Sequence, residues 1–418
     1  MQLPEDFVRE MQQLMGEERF NSYLEAFHED APVSIRLNPM KSLEWRVLAL
    51  QASRAGAESL EFATAVPWCE EGYYLEGRPQ FTFDPLFHAG CYYVQEAASM
   101  FITHILRALA NNYPLSIINC QLALDLCAAP GGKSTAMRSV LPEEITLVSN
   151  EPVPTRAQIL LENITKWGAP NCIVTNNYPR DFRKAKARFD LILCDVPCSG
   201  EGMFRKDPAT IGEWSLQNVE KCWRLQRDIV ADAWECLNPG GILIYSTCTF
   251  NTKENEENVR WIIDTYDAEP IAIPTDPSWN ITGSLLDGFD APVYRFIPGI
   301  TKSEGLFVCV LRKRGEDTKG SGTSVSLKGL KVLEADLPQG EFPRVDLPYS
   351  EALKYLRGEA IVLPSDAPRG IVTVTYKGFA LGPVKNIGNR ANNLYPKPWR
   401  IKTTHLPTEP VEIIKFSN

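Results

Sequence analysis

The stretch at 122–135, LALDLCAAPGGKST, decides how this chain folds. Residues 122–127 form a short apolar run of strand length, residues 128–132 are small, and Gly132 opens a helical stretch. A phosphate-binding loop has the same strand-to-helix setting but needs glycine five positions before Gly132, where Cys127 stands. The G-x-G-x-x-G spacing of a dinucleotide fold is also missing. What remains is a small-residue turn at the C-terminal end of a strand, where open α/β sheets bind ligands. Ala128, Ala129, Gly131 and Gly132 would let backbone amides approach a ligand closely.

Outward from this turn, strand-like runs at 145–149, 172–175, 191–194, 242–246 and 306–311 alternate with helical patterns. Pro152 suits a first helical turn, and Ala157, Leu160, Leu161, Ile164 and Trp167 share one helical face. Ser215 is placed to cap a long helix striped by Leu216, Val219, Trp223, Val230 and Leu237, which Asn238-Pro239-Gly240-Gly241 stops. The alternation predicts an α/β fold with a mainly parallel sheet and helices on both faces. Upstream, Phe7, Met11, Leu14 and Met15 have helical spacing, and APVSIRLNP at 31–39 alternates like a strand. Residues 1–85 therefore read as a small α+β domain ahead of a main domain at 86–314. GEDTKGSGTS at 315–324 marks a linker, 315–325, and the β-type segments beyond it predict a small β-rich domain at 326–418.

Composition narrows the class. With 44% hydrophobic and 23% charged residues, a chain of 418 residues has a sizeable core and two or three folding units. No apolar run is long enough to cross a bilayer, and the acidic start MQLPEDFVREMQQLMGEERF is unlike a secretory leader, so a cytoplasmic protein is expected. Eleven cysteines form no Cys-x-x-Cys pair, and His28, His88, His104 and His405 are scattered, so no metal site is expected. Cys120, Cys172, Cys222, Cys236 and Cys309 sit in apolar patterns and read as small core residues. Net charge is −9, yet residues 369–418 hold eight Lys/Arg against two Asp/Glu. A basic tail module on an acidic body suits selective docking on a polyanion.

Four positions carry candidate chemistry. Glu151 ends the second strand, where an acid can take both hydroxyls of a ribose, although it could equally stabilise the helix that follows. Asp195 ends a later strand in LCDVPCSG. Two acids and a glycine turn on neighbouring strand ends suit S-adenosylmethionine, whose sulfonium favours acidic surroundings. Cys198, in a loop because Pro197 cannot continue a sheet, and Cys248, flanked by Ser246, Thr247 and Thr249, each follow a strand directed at the same crevice.

Taken with YYVQEAASM at 92–100, NEPVPTRAQILLENI at 150–164, DLILCDVPCSGEGMFRKDP at 190–208 and YSTCTFNTKENE at 245–256, these motifs resemble the Sun-type family of RNA cytosine-C5 methyltransferases, closest to its RsmF-type small-subunit branch. GFALGPVKNIGNRANNLYP at 378–396 is similar to the PUA-like RNA-binding module of that branch. The resemblance covers nearly the whole chain. It implies a Rossmann-like S-adenosylmethionine-dependent sheet at 86–314, an RNA-binding or accessory domain before it and a PUA-like domain after it. It implies Cys248 as the nucleophile that adds to cytosine C6, Cys198 as the residue assisting breakdown of the adduct, and Asp195 as the partner of the base edge near N3. Lys133 would line the pocket and favour the thiolate. Cofactor contacts carried over by position are Cys127, Ala128, Ala129, Pro130, Gly131, Gly132, Lys133, Glu151 and Asp195. One departure stands out: NNYPRD puts Tyr178, with Asn177 beside it, where the family has an adenine-binding aspartate, leaving the adenine to Asn177, to backbone, or to weaker binding. The acids Glu254, Glu256 and Glu257 look structural, through the next helix's dipole.

A base modified at C5 must leave its stack, which RNA allows in loops and opened helices. Tyr376, Phe379, Tyr395 and Trp399, among Lys377, Lys385, Arg390, Lys397 and Arg400, would supply stacking and phosphate contacts, or be an ordinary β core. The expected partner is RNA, in small-subunit ribosomal RNA or 30S particles. Transfer RNA, a DNA enzyme attacking through Cys198, and a non-catalytic ribosome-assembly protein are the rivals.

Overall fold

The computed structural model describes residues 3–41, 63–112, 120–315 and 327–414, less 404 and 408; most of the linker expected at 315–325 lies outside them. Helices Glu5–Met15 and Glu17–Glu25 open the chain, the first burying Phe7, Met11 and Met15. An antiparallel sheet follows, with β1 (Val33–Leu37), β2 (Ala63–Ala65), β3 (Gly72–Leu75) and β4 (Tyr92–Val94) in the order β2-β3-β1-β4. β1 does not alternate: Ser34, Ile35 and Arg36 are all buried. The reason is Arg36, which turns inward to Gln95 Oε1 (2.8 Å), Thr135 Oγ1 (2.6 Å) and Ser139 Oγ (2.9 Å), 4.6 Å from the Trp167 ring. It docks this sheet on the helix behind the glycine turn, Gly132–Val140.

The central sheet contains β5 (Leu122–Asp125), β6 (Thr146–Asn150), β7 (Cys172–Thr175), β8 (Phe189–Asp195), β9 (Leu237–Thr247), β10 (Glu269–Pro270), β11 (Tyr294–Phe296), β12 (Leu306–Arg312) and β13 (Val332–Leu333). Strands β9-β8-β5-β6-β7 are mutually parallel in that order; β12 pairs antiparallel with β9 and carries β10 and β11. β13, which lies beyond the expected linker, returns to this sheet and pairs antiparallel with β7. All four residues of β5 are buried because helices cover both faces. Helices Phe101–Asn112 and Gly132–Val140 lie on one side and Leu216–Cys236 and Glu256–Tyr266 on the other. The strand order reverses between β5 and β8, so the crevice past their C-terminal ends is the switch point where such sheets take ligands.

Local signals mostly become the expected elements. The helix looked for at Pro152 starts two residues later, with Pro154 in its first turn, and it buries the five residues of its apolar face. The Ser215 side chain accepts the Asn218 N–H (3.1 Å) as the cap of Leu216–Cys236. That helix ends before Leu237, which begins β9 instead of closing the apolar stripe, and the NPGG segment bulges against β8. A Cβ at Gly241 would lie 2.9 Å from Asn238 O and 3.0 Å from Asp190 O, so only glycine fits this bulge.

The last sheet is β14 (Arg344–Asp346), β15 (Gly370–Tyr376), β16 (Phe379–Asn386) and β17 (Ala391–Asn393), packed with helix Tyr349–Leu356. Its core is continuous with the N-terminal sheet: Ile35, Leu86 and Tyr92 meet Leu353, Val372 and Val384. Each such fully buried side chain contributes roughly 1.5–3 kcal/mol. Among the described residues no helix is long and apolar enough to cross a membrane.

Candidate active site

β8 and β9 run side by side with Asp195 opposite Ser246. The loops that leave them bring Cys198, three residues on, and Cys248, two residues on, to an Sγ–Sγ separation of 3.3 Å. The Gly202 N–H donates to Cys248 O at 2.7 Å. A Cβ on Gly202 would sit 2.7 Å from that oxygen and 3.1 Å from Gly305 Cα, so the second glycine of CSGEG exists for this approach. Both cysteines are half-buried.

The Cys198 thiol is pushed well above its ordinary value, first by its hydrogen bond to Cys248, then by burial and the charges of Cys248 and Glu254. At this separation either thiol can donate to the other, so the two sulfurs share one hydrogen bond. Lys133 Nζ stands 2.8 Å from Asp195 Oδ2, and Ser246 Oγ donates to Asp195 Oδ1 at 2.8 Å. Burial weakens the Lys133 proton, but Asp195 more than offsets this, with help from Cys248 and Asp125, and the ammonium is held above its usual value.

The crevice floor is acidic. Asp125, wholly buried at the end of β5, accepts Ser134 Oγ (2.6 Å) through Oδ2, while Oδ1 has no hydrogen-bond partner among the described residues. Burial pushes its carboxyl up to about 7, against the Ser134 hydrogen bond and with Asp195 and Glu151 adding to the rise. Glu151 is 1% exposed. Its Oε1 accepts the Val153 N–H (2.9 Å) and its Oε2 lies 3.6 Å from Arg156, so the role of steadying the next helix is realised at one of its two oxygens. Cys127 to Lys133 line the turn, but the Ala128 and Gly131 amides are already engaged by Asn150 O and Ala128 O (2.8 Å each). Asn177 does not face the crevice with its amide: Oδ1 accepts Lys331 N (2.9 Å) and Nδ2 donates to Lys331 O (3.1 Å), which ties β13 to the sheet edge. Tyr178 is exposed, with Arg180 5.1 Å from its ring.

The acidic run after Cys248 opens the next helix, with Glu256 and Glu257 in its first turn, and burial adds contacts that the helix-dipole reading does not contain. Glu256 is a wholly buried partner of Arg295, with bonds of 2.5 and 2.6 Å, and Glu254 lies buried beneath the cysteine loops. Glu201, Asn251 and Gln226 join it there, none of them singled out by sequence. Their segments, CSGEGMFRKDP, STCTFNTKENE and EKCWRLQRD, are themselves rich in polar residues, so polarity alone did not mark them.

In the C-terminal sheet, Tyr376 and Tyr395 are buried and serve the β core, so neither ring is offered for stacking. Phe379 and Trp399 are half-buried, with Lys166 of helix Pro154–Trp167 5.9 Å from the Trp399 ring. Lys385, Arg390 and Lys397 are exposed.

Three family models match in chain order: the N-terminal domain of 16S rRNA methyltransferase RsmF at residues 3–97, 16S rRNA methyltransferase RsmB/F at 113–312 and the methyltransferase RsmF PUA domain at 342–401. Ribosomal RNA small subunit methyltransferase F of Escherichia coli O17:K52:H18 is 34% identical over 322 residues, which is 74% of this chain. The Pectobacterium atrosepticum protein of the same name is 34% identical over 325 residues. The match spans 63% of the length of each relative. Among solved structures, a methyltransferase homolog protein from Pyrococcus horikoshii is similar with TM-score 0.57 and 25% identity over 74% of this chain and 100% of its own. NSun6 from the same organism shares the fold at TM-score 0.59 and 20% identity, over 75% of this chain and 99% of its own.

Proposed function

Because the chain belongs to the RsmB/F family of 16S rRNA methyltransferases, we propose that it methylates C5 of a cytosine in small-subunit ribosomal RNA through a transient bond between Cys248 and C6. The observation that carries this reading is the sulfur pair, 3.3 Å apart past the ends of β8 and β9, with the Lys133–Asp195 pair in the same crevice. Cytosine C5 is a poor nucleophile until a thiolate adds to C6 and pushes electron density toward it. Cys248, which follows β9 and interacts with the Lys133 ammonium, is the group suited to add. Asp195 and Lys133, already paired, would meet the base edge near N3 as charge shifts into the ring.

The residues present fit S-adenosylmethionine: a small-residue turn at the switch point, the unpartnered Oδ1 of buried Asp125, and Glu151 one strand away. When bound, this cofactor supplies an electrophilic methyl group that C5 takes. Cys127 to Lys133 would hold it, with Glu151 at the ribose. The C5 proton then leaves to water, the C5–C6 double bond re-forms, and Cys248 departs as a thiolate. The Cys198 S–H, 3.3 Å from Cys248, is placed to hydrogen-bond that departing sulfur. A DNA-type attack through Cys198 would require a thiol that its neighbours and burial hold above its ordinary value to be the nucleophile.

The exposed bases Lys385, Arg390 and Lys397 would meet phosphates, and a cytoplasmic setting follows from the substrate. Transfer of tritium-labelled methyl groups tests the reading. Label should enter immature small subunits or their rRNA with the wild-type protein and vanish with Cys248→Ala. Label entering transfer RNA alone would move the substrate, and no transfer to any RNA would leave a non-catalytic binding protein.

A further inference from the structure

Each cysteine loop is held by a carboxylate belonging to the other. Glu254, on the Cys248 loop, accepts the Ser199 N–H of the Cys198 loop (3.1 Å). Glu201, on the Cys198 loop, accepts the N–H groups of Phe250 (2.6 Å) and Asn251 (3.0 Å) on the Cys248 loop. Asn251 Nδ2 lies between them, 2.9 Å from Oε1 of each. From below, Gln226 Nε2 reaches Glu254 Oε2 (2.6 Å) and Pro197 O (2.9 Å), and Ser199 Oγ meets Thr249 Oγ1 at 2.9 Å. Both carboxylates are at most 1% exposed, and the groups named as bonding to them, the Ser199, Phe250 and Asn251 N–H and the Asn251 and Gln226 side-chain amides, are uncharged donors.

Two buried acids side by side are a costly way to join two loops, since each must be desolvated near a like charge. The strain of the arrangement is visible in Glu254, which burial and then Glu201 push up to about 7 against its hydrogen bonds. What the acids deliver is geometry. Carboxylates accept several backbone N–H bonds at once, and here they fix two loops relative to each other in both directions.

We propose that Glu201 and Glu254 are positioning residues, a reciprocal clasp that sets the Cys198–Cys248 sulfur separation and thereby governs release of the methylated base more than formation of the adduct. The inference rests on the functional reading above. Of the two sulfurs, formation needs only that of Cys248, whereas release needs the Cys198 S–H to meet that sulfur as it leaves.

The test compares rates of adduct formation and decay on labelled RNA for the wild-type protein, Cys198→Ser and Glu254→Gln. In Glu254→Gln the adduct should persist, with release slowed about 10-fold more than formation, the scale expected of a sub-ångström misplacement. A variant that had merely lost folding would slow both steps together, and an unchanged ratio of the two rates overturns the clasp. Should Glu254→Gln not fold, Asn251→Ser removes the bridging amide and is read the same way. A second readout uses no RNA: phenylarsine oxide bridges two close thiols, each thiol losing its proton as two As–S bonds form and one water leaves. Peptide mass mapping should find the arsenic across Cys198 and Cys248, with capture slowed to a similar extent in Glu254→Gln. Unchanged capture overturns the clasp. Slowed capture together with no wild-type RNA adduct keeps the clasp and refutes the methyltransferase reading.

Discussion

Gly202→Ala tests how tightly the two cysteine loops must approach. Gly202 does not require a positive φ, so alanine is permitted by the backbone and the whole effect is steric. The added Cβ would stand 2.7 Å from Cys248 O and 3.1 Å from Gly305 Cα, both backbone atoms that cannot swing aside. The loops must part by about half an ångström to regain van der Waals contact. Overpacking of this kind costs about 1–3 kcal/mol, and the Gly202 N–H to Cys248 O bond (2.7 Å) is stretched as well. Displacing a catalytic atom by up to 1 Å lowers turnover about 10²-fold, so a loss of about 10- to 100-fold in kcat is expected. Gly200→Ala is the first control: φ is +77 with nothing within 4 Å, so it carries backbone strain of about 1 kcal/mol without pushing on Cys248. Gly212→Ala, in helix Ala209–Glu213 with open space around it, should be neutral or stabilising by up to about 1 kcal/mol. Thermal melts and single-turnover methyl transfer on the three variants decide the matter. Wild-type kcat and Tm in Gly202→Ala would refute the close-approach argument.

Other perturbations follow from the same geometry. Arg295→Met leaves Glu256 buried and unpaired, and urea unfolding should show a loss of about 3–5 kcal/mol; a loss below 1 kcal/mol would contradict the pair's isolation from water. Asn177→Ala removes both bonds to Lys331, so hydrogen exchange should quicken at 331–333 by an amount worth about 1–2 kcal/mol while cofactor affinity, read by calorimetry, stays as it was; a large loss of affinity would return Asn177 to the adenine. Asp84 accepts Leu86 N, Tyr92 OH and Ile413 N, and burial raises its carboxyl from 3.8 to about 6 despite those bonds. Its stabilising contribution is complete below pH 3.8 and is lost as pH rises through about 6. The wild-type minus Asp84→Asn stability should therefore fall by about 2–3 kcal/mol between pH 4 and pH 7, and a flat difference would refute the assignment.

What could be read from sequence was local. The turn at 128–132, the buried face of helix Pro154–Trp167 and the Ser215 cap are each determined by residues within a few positions of one another. The sheet class followed because strand and helix periods alternate. Long-range choices were not legible. Nothing near Asn177 announces Lys331, and nothing near Glu256 announces Arg295, 39 residues away. Arg36 looked like one member of an alternating strand until the helix it docks on was in place. Tyr376 and Tyr395 have the composition of a stacking platform and the burial of a core, a distinction made only by the helix and strands packed over them. The two cysteines were visible as motifs, but their approach to 3.3 Å depends on the loops that leave two neighbouring strands, and so on tertiary geometry.

The most direct measurement is covalent trapping with RNA carrying 5-fluorocytidine at the target position, in the presence of the methyl donor. Fluorine replaces the proton that must leave C5, so the sulfur–carbon bond cannot be resolved. Peptide mapping of the trapped complex should place the nucleotide on Cys248, with the linkage kept in Cys198→Ser and abolished in Cys248→Ser. A nucleotide attached to Cys198, or no attachment to an active wild-type protein, would contradict the account.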